Sequence, residues 1–200
     1  MATFGDQYQC PTGHCGRLVA AKMNREHEPL TLWGLTKIKI GPDYVVLDVG
    51  CGGGKTVSRL AELAPRGKVF GIDYSRDMVN FSRKINEMLI AQNRVEIIEG
   101  SVEKISFKDD FFDLVTAFET YYFWTNLPNA LKEIKRVLKP GGKMLLVNEL
   151  MYGVTDEKLV EETHVKLFPL DEIQNVMRSV GFVDVQLFSQ SRWNAFIAQK

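Results

Sequence analysis

Residues Val45-Val46-Leu47-Asp48-Val49 run directly into Gly50-Cys51-Gly52-Gly53-Gly54-Lys55-Thr56, and this junction constrains the chain more than any other stretch. The apolar, β-branched run reads as a strand buried on both faces. The glycines make a tight turn, after which Val57, Leu60, Ala61 and Ala64 recur on one face of a helix. Strand, glycine turn and helix form the opening unit of a nucleotide-binding α/β sheet.

Three ligand classes use such a loop, and the residues separate them. A dinucleotide fingerprint needs glycines at 50, 52 and 55, but position 55 is Lys. A phosphate loop of the Gly-x-x-x-x-Gly-Lys-Thr kind needs Gly at 49, where Val stands. What remains is Gly50-x-Gly52-x-Gly54 preceded by Asp48. An unpaired carboxylate at the strand end repels a pyrophosphate strongly in a low-dielectric cleft. It favours a cationic ligand instead, such as S-adenosylmethionine with its ammonium and sulfonium groups.

At these residues the sequence resembles the class I S-adenosylmethionine-dependent methyltransferases, whose first motif reads much like Val46-Leu47-Asp48-Val49-Gly50-Cys51-Gly52-Gly53-Gly54. Phe112-Asp113-Leu114-Val115 and Arg136-Val137-Leu138-Lys139-Pro140-Gly141-Gly142 extend the likeness, which covers about residues 40–200. The resemblance implies an α/β fold: a Rossmann-like, doubly wound, seven-stranded sheet, mostly parallel with the last strand antiparallel and helices on both faces. It also implies an enzyme that uses S-adenosylmethionine and releases S-adenosylhomocysteine.

Two hundred residues fit one domain. Residues 1–40 are read as an N-terminal lid or strap and 41–200 as the core. Lys plus Arg equals Asp plus Glu at 25 each, so global charge points to neither nucleic acid nor anionic membrane. No apolar run approaches the roughly 20 residues of a membrane span. The N-terminus lacks the charged and apolar regions of a secretory signal. Three cysteines cannot all pair, so a reducing cytoplasm is expected. Cys10, His14 and Cys15 are metal-ligand types, but no second ligand pair follows at finger spacing. A turn containing Pro11, Gly13 and Gly16 is the simpler reading, and no metal is expected.

From Arg17 to about Ile40 the pattern is helical, with breaks at Pro29 and Gly34. Lys68–Asp73 reads as the second strand. An acid at its end, about 20 residues past the glycine loop, is where a ribose-binding carboxylate belongs. Asp73 is that acid, since two vicinal hydroxyls can donate to one carboxylate. Ser75 then caps a long amphipathic helix carrying Met78, Val79, Ser82, Ile85, Met88 and Leu89. Arg94–Gly100 gives the third strand. Next to it the resemblance places an adenine-binding Asp, but position 101 is Ser. Ser101, the Val102 backbone N–H and Glu103 are the candidates for that contact. The cofactor set expected on this resemblance is Asp48, Gly50, Cys51, Gly52, Gly54, Asp73, Tyr74, Met78, Ser101, Val102, Glu103 and Phe118.

Glu119-Thr120-Tyr121-Tyr122-Phe123-Trp124 follows the fourth strand, at the edge where open α/β sheets bind ligands. Tyr121, Tyr122, Trp124 and, from the lid, Trp33 are candidate acceptor contacts. An Asn-Pro-Pro-Tyr motif for amino-group methylation of DNA or protein is absent there. Asn126 opens a further helix, residues 144–149 read as the fifth strand, and residues 150–169 form a connector in which His164 is a surface residue. A helix from Leu170, with Asp171 near its cap, and a hairpin about Ser189–Arg192 complete the chain.

Methyl transfer from a sulfonium is an in-line displacement, so the protein mainly aligns the reactants and excludes water. A general base is needed only for a protonated acceptor. His27, Glu119, Tyr122 and Glu149 are the candidates. The expected function is methylation of a small-molecule acceptor. The alternative is a non-catalytic S-adenosylmethionine-binding sensor or partner subunit.

Overall fold

The computed structural model describes residues 13–149, 153, 155, 157–163 and 165–200. Helices α1 (Gly13–Glu26) and α2 (Glu28–Leu35) precede β1 (Val45–Val49). Then follow α3 (Lys55–Leu63), β2 (Lys68–Asp73), α4 (Arg76–Ile85), α5 (Glu87–Ala91) and β3 (Val95–Glu99). The second half runs β4 (Phe112–Phe118), α6 (Leu127–Val137), β5 (Leu138–Asn148), α7 (Glu157–Thr163), α8 (Leu170–Ser179), β6 (Val183–Gln190) and β7 (Trp193–Gln199).

The strands form one seven-stranded sheet in the order β3-β2-β1-β4-β5-β7-β6. Only β7 is antiparallel, pairing with β5 on one side and β6 on the other. This is the architecture expected from the sequence. Strand order reverses between β1, which goes on to β2, and β4 on its other flank. That switch point opens a crevice at the carboxyl ends of β1 and β4.

The pleat sends alternate residues of each central strand into two cores. Val46, Val69 and Leu114 meet Leu30 and Leu35 of α2, Val57 and Leu60 of α3 and Val79 of α4. Leu47, Phe70 and Val115 meet Leu127, Leu131 and Ile134 of α6 and Ile173 and Met177 of α8. Leu47, Leu60, Leu114, Leu131 and Ile134 have no solvent exposure.

Polar side chains fix the joints between elements. The Arg94 guanidinium donates to the carbonyls of Ala61, Ala64 and Gly67. It thereby satisfies the carbonyl end of α3, where a cation is favoured. Arg136 on α6 donates to the Ile105 and Phe107 carbonyls and pairs with Asp109 and Glu133, anchoring the loop before β4.

The structure corrects several expectations. The turn read through Pro11, Gly13 and Gly16 is helical from Gly13 onward, and its Cys10–Pro11 part lies outside the described residues. At Pro29 the expected interruption is found: two helices meet at His27, and Pro29 sits in the first turn of α2, where its missing N–H costs nothing. Gly34 lies inside α2, not at a break. The single long helix after Ser75 is two helices, interrupted at the buried Asn86. The connector at 150–169 contains α7, and His164 lies outside the described residues. Asp171 lies near the cap of α8 as expected, in its first turn, with Pro169 at the N-cap position.

Candidate active site

At the switch point a cavity of about 340 Å³ is floored by the glycine loop and roofed by Ala20, Met23 and Asn24 of α1, with His27 and Thr31 following. The backbone of the loop is left-handed at Gly50, Gly52 and Gly54, with φ of 68°, 47° and 77°. The Gly-x-Gly-x-Gly spacing therefore reflects an alternation that side chains resist. Gly50 N and Cys51 N both donate to Ile72 O, at 2.8 and 3.0 Å, which ties the loop to β2. Gly53 is needed for a different reason. A Cβ there would collide with the Asn24 side chain, so the roof rests directly on the loop backbone. Asn24 Nδ2 donates to Gly53 O at 3.3 Å.

Asn86 supports the loop from behind. Its Nδ2 donates to Gly54 O at 3.0 Å and Ser82 O at 2.9 Å, and its Oδ1 accepts from Ser58 Oγ at 2.8 Å. The helix break at this residue aims the amide at the loop. Nothing in its sequence context announced that role.

Three buried carboxyl groups face the cavity. Asp48 Oδ1 accepts a 2.7 Å bond from Thr116 Oγ1. Burial pushes the Asp48 carboxyl up to about 7, and the nearby Asp73 charge adds to the rise. Asp73 accepts from Gly52 N through Oδ2 and from Ser75 N through Oδ1, each at 2.9 Å, while burial raises it. Glu119 accepts from Tyr122 Oη at 2.7 Å and from Glu149 N. Burial also pushes it up to about 7. Arg59 lines the cavity too, but it is ion-paired with Glu28 of α2 rather than with any of the three acids. A cation entering here would offset the cost of ionising these groups.

The remaining expected contacts divide. Cys51, Tyr74, Met78, Ser101, Val102, Glu103, Phe118 and Trp124 line the cavity together with Asp48, Gly50, Gly52 and Asp73. Burial raises the Cys51 thiol well above its usual range, so it is a packing group. Gly54 lies outside the lining and starts α3. Ser101 Oγ accepts from Glu103 N at 3.2 Å, and Glu103 Oε1 accepts from Asn126 N at 2.9 Å. This tight turn presents Val102 to the cavity.

Tyr121 and Tyr122 do not line it. Both are buried, at 1% and 4% exposure, because the 3₁₀ turn at Tyr121–Phe123 directs them into the core beneath α6. Phe123 and Trp124 face the cavity instead. Trp33 packs against Trp193 on the far side of α2, with ring centroids 5.9 Å apart. Glu149 also lies off the lining, although its charge acts on His27, whose imidazole is lowered mainly by burial.

Sequence reading assigned no contact to Met23, Asn24, Thr31 or Thr120, and it placed Phe123 only within the aromatic run after the fourth strand. A signal existed for the roof, since Met23, His27 and Thr31 recur at every fourth residue. Thr120 abuts Gly50, and its buried Oγ1 has no hydrogen-bond partner among the described residues. A cavity that carries an unsatisfied hydroxyl, buried acids and bare loop backbone is built to complete its polar contacts with a ligand.

A family model described as "Methyltransferase domain" matches residues 47–146, which span the glycine loop, β2, β4 and most of β5. A demethylmenaquinone methyltransferase of Geobacillus sp. (strain WCH70) is 31% identical over 174 residues, covering 72% of this chain and 72% of the relative. A 2-phytyl-1,4-naphtoquinone methyltransferase of Trichormus variabilis is 30% identical over 108 residues, covering 54% of this chain and 47% of the relative. Among similar curated relatives the chain spans as much as 72% and as little as 45% of the relative's length. A crystal structure of an Aquifex aeolicus protein, described as a SAM-dependent methyltransferase, superposes with a TM-score of 0.72 at 22% identity. It covers 90% of this chain and 97% of the other.

Proposed function

The chain belongs to the methyltransferase-domain family as an S-adenosylmethionine-dependent enzyme, and from that premise we propose that it methylates a small hydroxylated aromatic acceptor of the quinol class. The observation that carries the cofactor half of the reading is the set of buried carboxyls, Asp48 and Asp73, flanking a glycine loop, with no cation paired to either among the described residues. Such a site favours a sulfonium and an ammonium over a pyrophosphate.

When bound, S-adenosylmethionine supplies an electrophilic methyl group and a neutral thioether leaving group. The residues present fit it. Asp73 keeps a second lone pair on each oxygen for the ribose hydroxyls. Val102 and Met78 supply apolar walls for the adenine, with Ser101 and Glu103 at its edge. Thr120 Oγ1, short of a partner, is free to bond the amino-acid end near Gly50. Phe118, Phe123 and Trp124 exclude water from the acceptor end and offer π faces to a flat ring. Relatives named for quinone substrates support that acceptor class. The same relatives are named as methyltransferases, which favours catalysis over a sensor role.

Calorimetry with S-adenosylmethionine, NAD and ATP tests the cofactor assignment. Micromolar binding of the first alone is expected, and comparable NAD or ATP binding overturns it. Incubation with a short-chain 1,4-naphthoquinol under reducing conditions, read by mass, tests the acceptor. A product heavier by one methyl group is expected. No product from naphthoquinols alongside transfer to amines or thiols refutes the quinol class.

A further inference from the structure

Glu119 is built at a conformational cost. It follows the last residue of β4 and takes a left-handed backbone with φ of 56°, which a residue with a Cβ adopts only when its surroundings enforce it. The surroundings do so. Its N–H donates to Val147 O at 2.9 Å, and its carboxyl spans the gap between β4 and β5. One oxygen accepts from Glu149 N and the other from the Tyr122 hydroxyl. The residue is 7% exposed and lines the cavity.

A carboxylate needed only to tie two strand ends would be equally well satisfied deeper in the protein. This one faces the cavity beside Thr120, which touches the glycine loop, and Phe123, at the acceptor end. Each oxygen carries one hydrogen bond, which leaves a lone pair on each for an incoming proton.

We propose that Glu119 is the general base that removes the acceptor's proton, held in position by the Tyr122 hydroxyl and the Glu149 N–H. The inference rests on the methyltransferase reading and on an acceptor bearing a hydroxyl. The acceptor's O–H bond breaks and its proton moves to a Glu119 oxygen. The electron pair left on the aryloxide system forms the bond to the methyl carbon, while the pair of the broken S–CH₃ bond stays on sulfur. If a conjugated ring carbon is the nucleophile, its hydrogen then returns to the oxygen by tautomerisation. One proton therefore ends on Glu119 in either case, and it leaves to solvent.

The groups around Glu119 suit the task. From the 3₁₀ turn come Tyr121 and Tyr122, both held protonated by burial, and from the end of β5 comes Glu149. His27 meets the same region through the charge of Glu149. Burial lifts Glu119 towards neutrality, where a carboxyl is basic enough to take a proton from a phenol-like hydroxyl. Tyr122 touches no acceptor. It is a positioning residue that stabilises the charged carboxylate.

The test compares wild type with E119Q, E119D and Y122F in single-turnover transfer to a short-chain naphthoquinol, with S-adenosylmethionine affinity measured alongside. E119Q should lower transfer about 100-fold or more while leaving cofactor affinity within about threefold, the range for loss of a general base. E119D should recover part of the rate. Y122F should lower transfer less than E119Q does and move the acid limb of the pH profile upward, because the charged form loses a donor. Wild-type transfer by E119Q, or an unmoved pH limb in Y122F, overturns the proposal. If wild type methylates no quinol, the acceptor class assigned above falls. Glu119 is then decided separately by ¹³C-carboxyl NMR of the S-adenosylhomocysteine complex, with E119Q or, should that variant not fold, E119D identifying the resonance. Titration near neutrality, raised further in Y122F, supports the proposal, and titration in the ordinary glutamate range refutes it.

Discussion

Asp73 has each carboxylate oxygen bonded to one backbone N–H, Gly52 on one side and Ser75 on the other. The carboxylate is thus aimed before any ligand arrives, and the two outward lone pairs match a vicinal diol. Asp73→Ala should cost about 2–4 kcal/mol of S-adenosylmethionine binding, or roughly 30- to 1000-fold, measured by calorimetry on folded protein. Unchanged affinity would leave Asp73 as a loop brace only. The same carboxyls set a pH dependence. Burial raises Asp48, Asp73 and Glu119, and for Asp48 and Glu119 the folded protein binds more protons than the unfolded one between their ordinary pKa near 4 and about 7. Their contribution to stability therefore falls as pH rises through that window. A bound sulfonium favours the ionised forms, so binding should release protons and tighten between pH 5.5 and 8. Calorimetry in buffers of different ionisation enthalpy reads the proton count, and a count of zero at pH 6.5 refutes this coupling. The acids were legible in the sequence because each closes a strand beside a recognisable loop. The aromatics were not, because a single 3₁₀ turn decides which of four consecutive rings enter the core, and period alone does not encode that turn.

Element by element, the helices and strands follow apolar period, whereas the joints between them depend on single polar contacts. The expected strand Lys68–Asp73 is found with those bounds, since a β-branched run ending in an acid before a Ser cap leaves little choice. Asn86 breaks the following helix because its side chain satisfies the Gly54 and Ser82 carbonyls, a long-range gain invisible to a helical pattern. Gly34 was read as a break and is instead a close approach. A Cβ there would lie 2.7 Å from Val147 Cγ2 and 3.2 Å from Phe118 Cε1. Val147 is β-branched and stiff on its strand, so α2 rather than Val147 must yield. Gly34→Ala should destabilise the fold by about 1–3 kcal/mol, the usual penalty for overpacking. Urea unfolding measures it, and a midpoint equal to wild type would show that α2 is free to ride outward.

At the scale of the molecule, the sheet order fixes where chemistry can occur, and the two N-terminal helices decide how closed that place is. Their contributions differ. Leu30 and Leu35 of α2 are 1% and 9% exposed and complete the core over β5, so removing α2 bares the sheet. Helix α1 instead gives the cavity Ala20, Met23 and Asn24, and it holds the loop through the bond from Asn24 to Gly53 O. We therefore propose a lid function for α1 rather than α2, and the instructive truncation removes residues 1–26 and leaves α2 in place. The shortened protein should keep its cooperative unfolding, because the sheet and the two faces that cover it are retained. It should release S-adenosylmethionine about tenfold or more faster, equivalent to losing roughly 1.4 kcal/mol of roof contacts. Stopped-flow displacement by S-adenosylhomocysteine gives that rate. A release rate equal to the full chain would make α1 a passive cover. Loss of cooperative unfolding would make it part of the core, and the barrier to cofactor exchange would then have to lie in the turn at Ser101–Lys104 on the opposite rim.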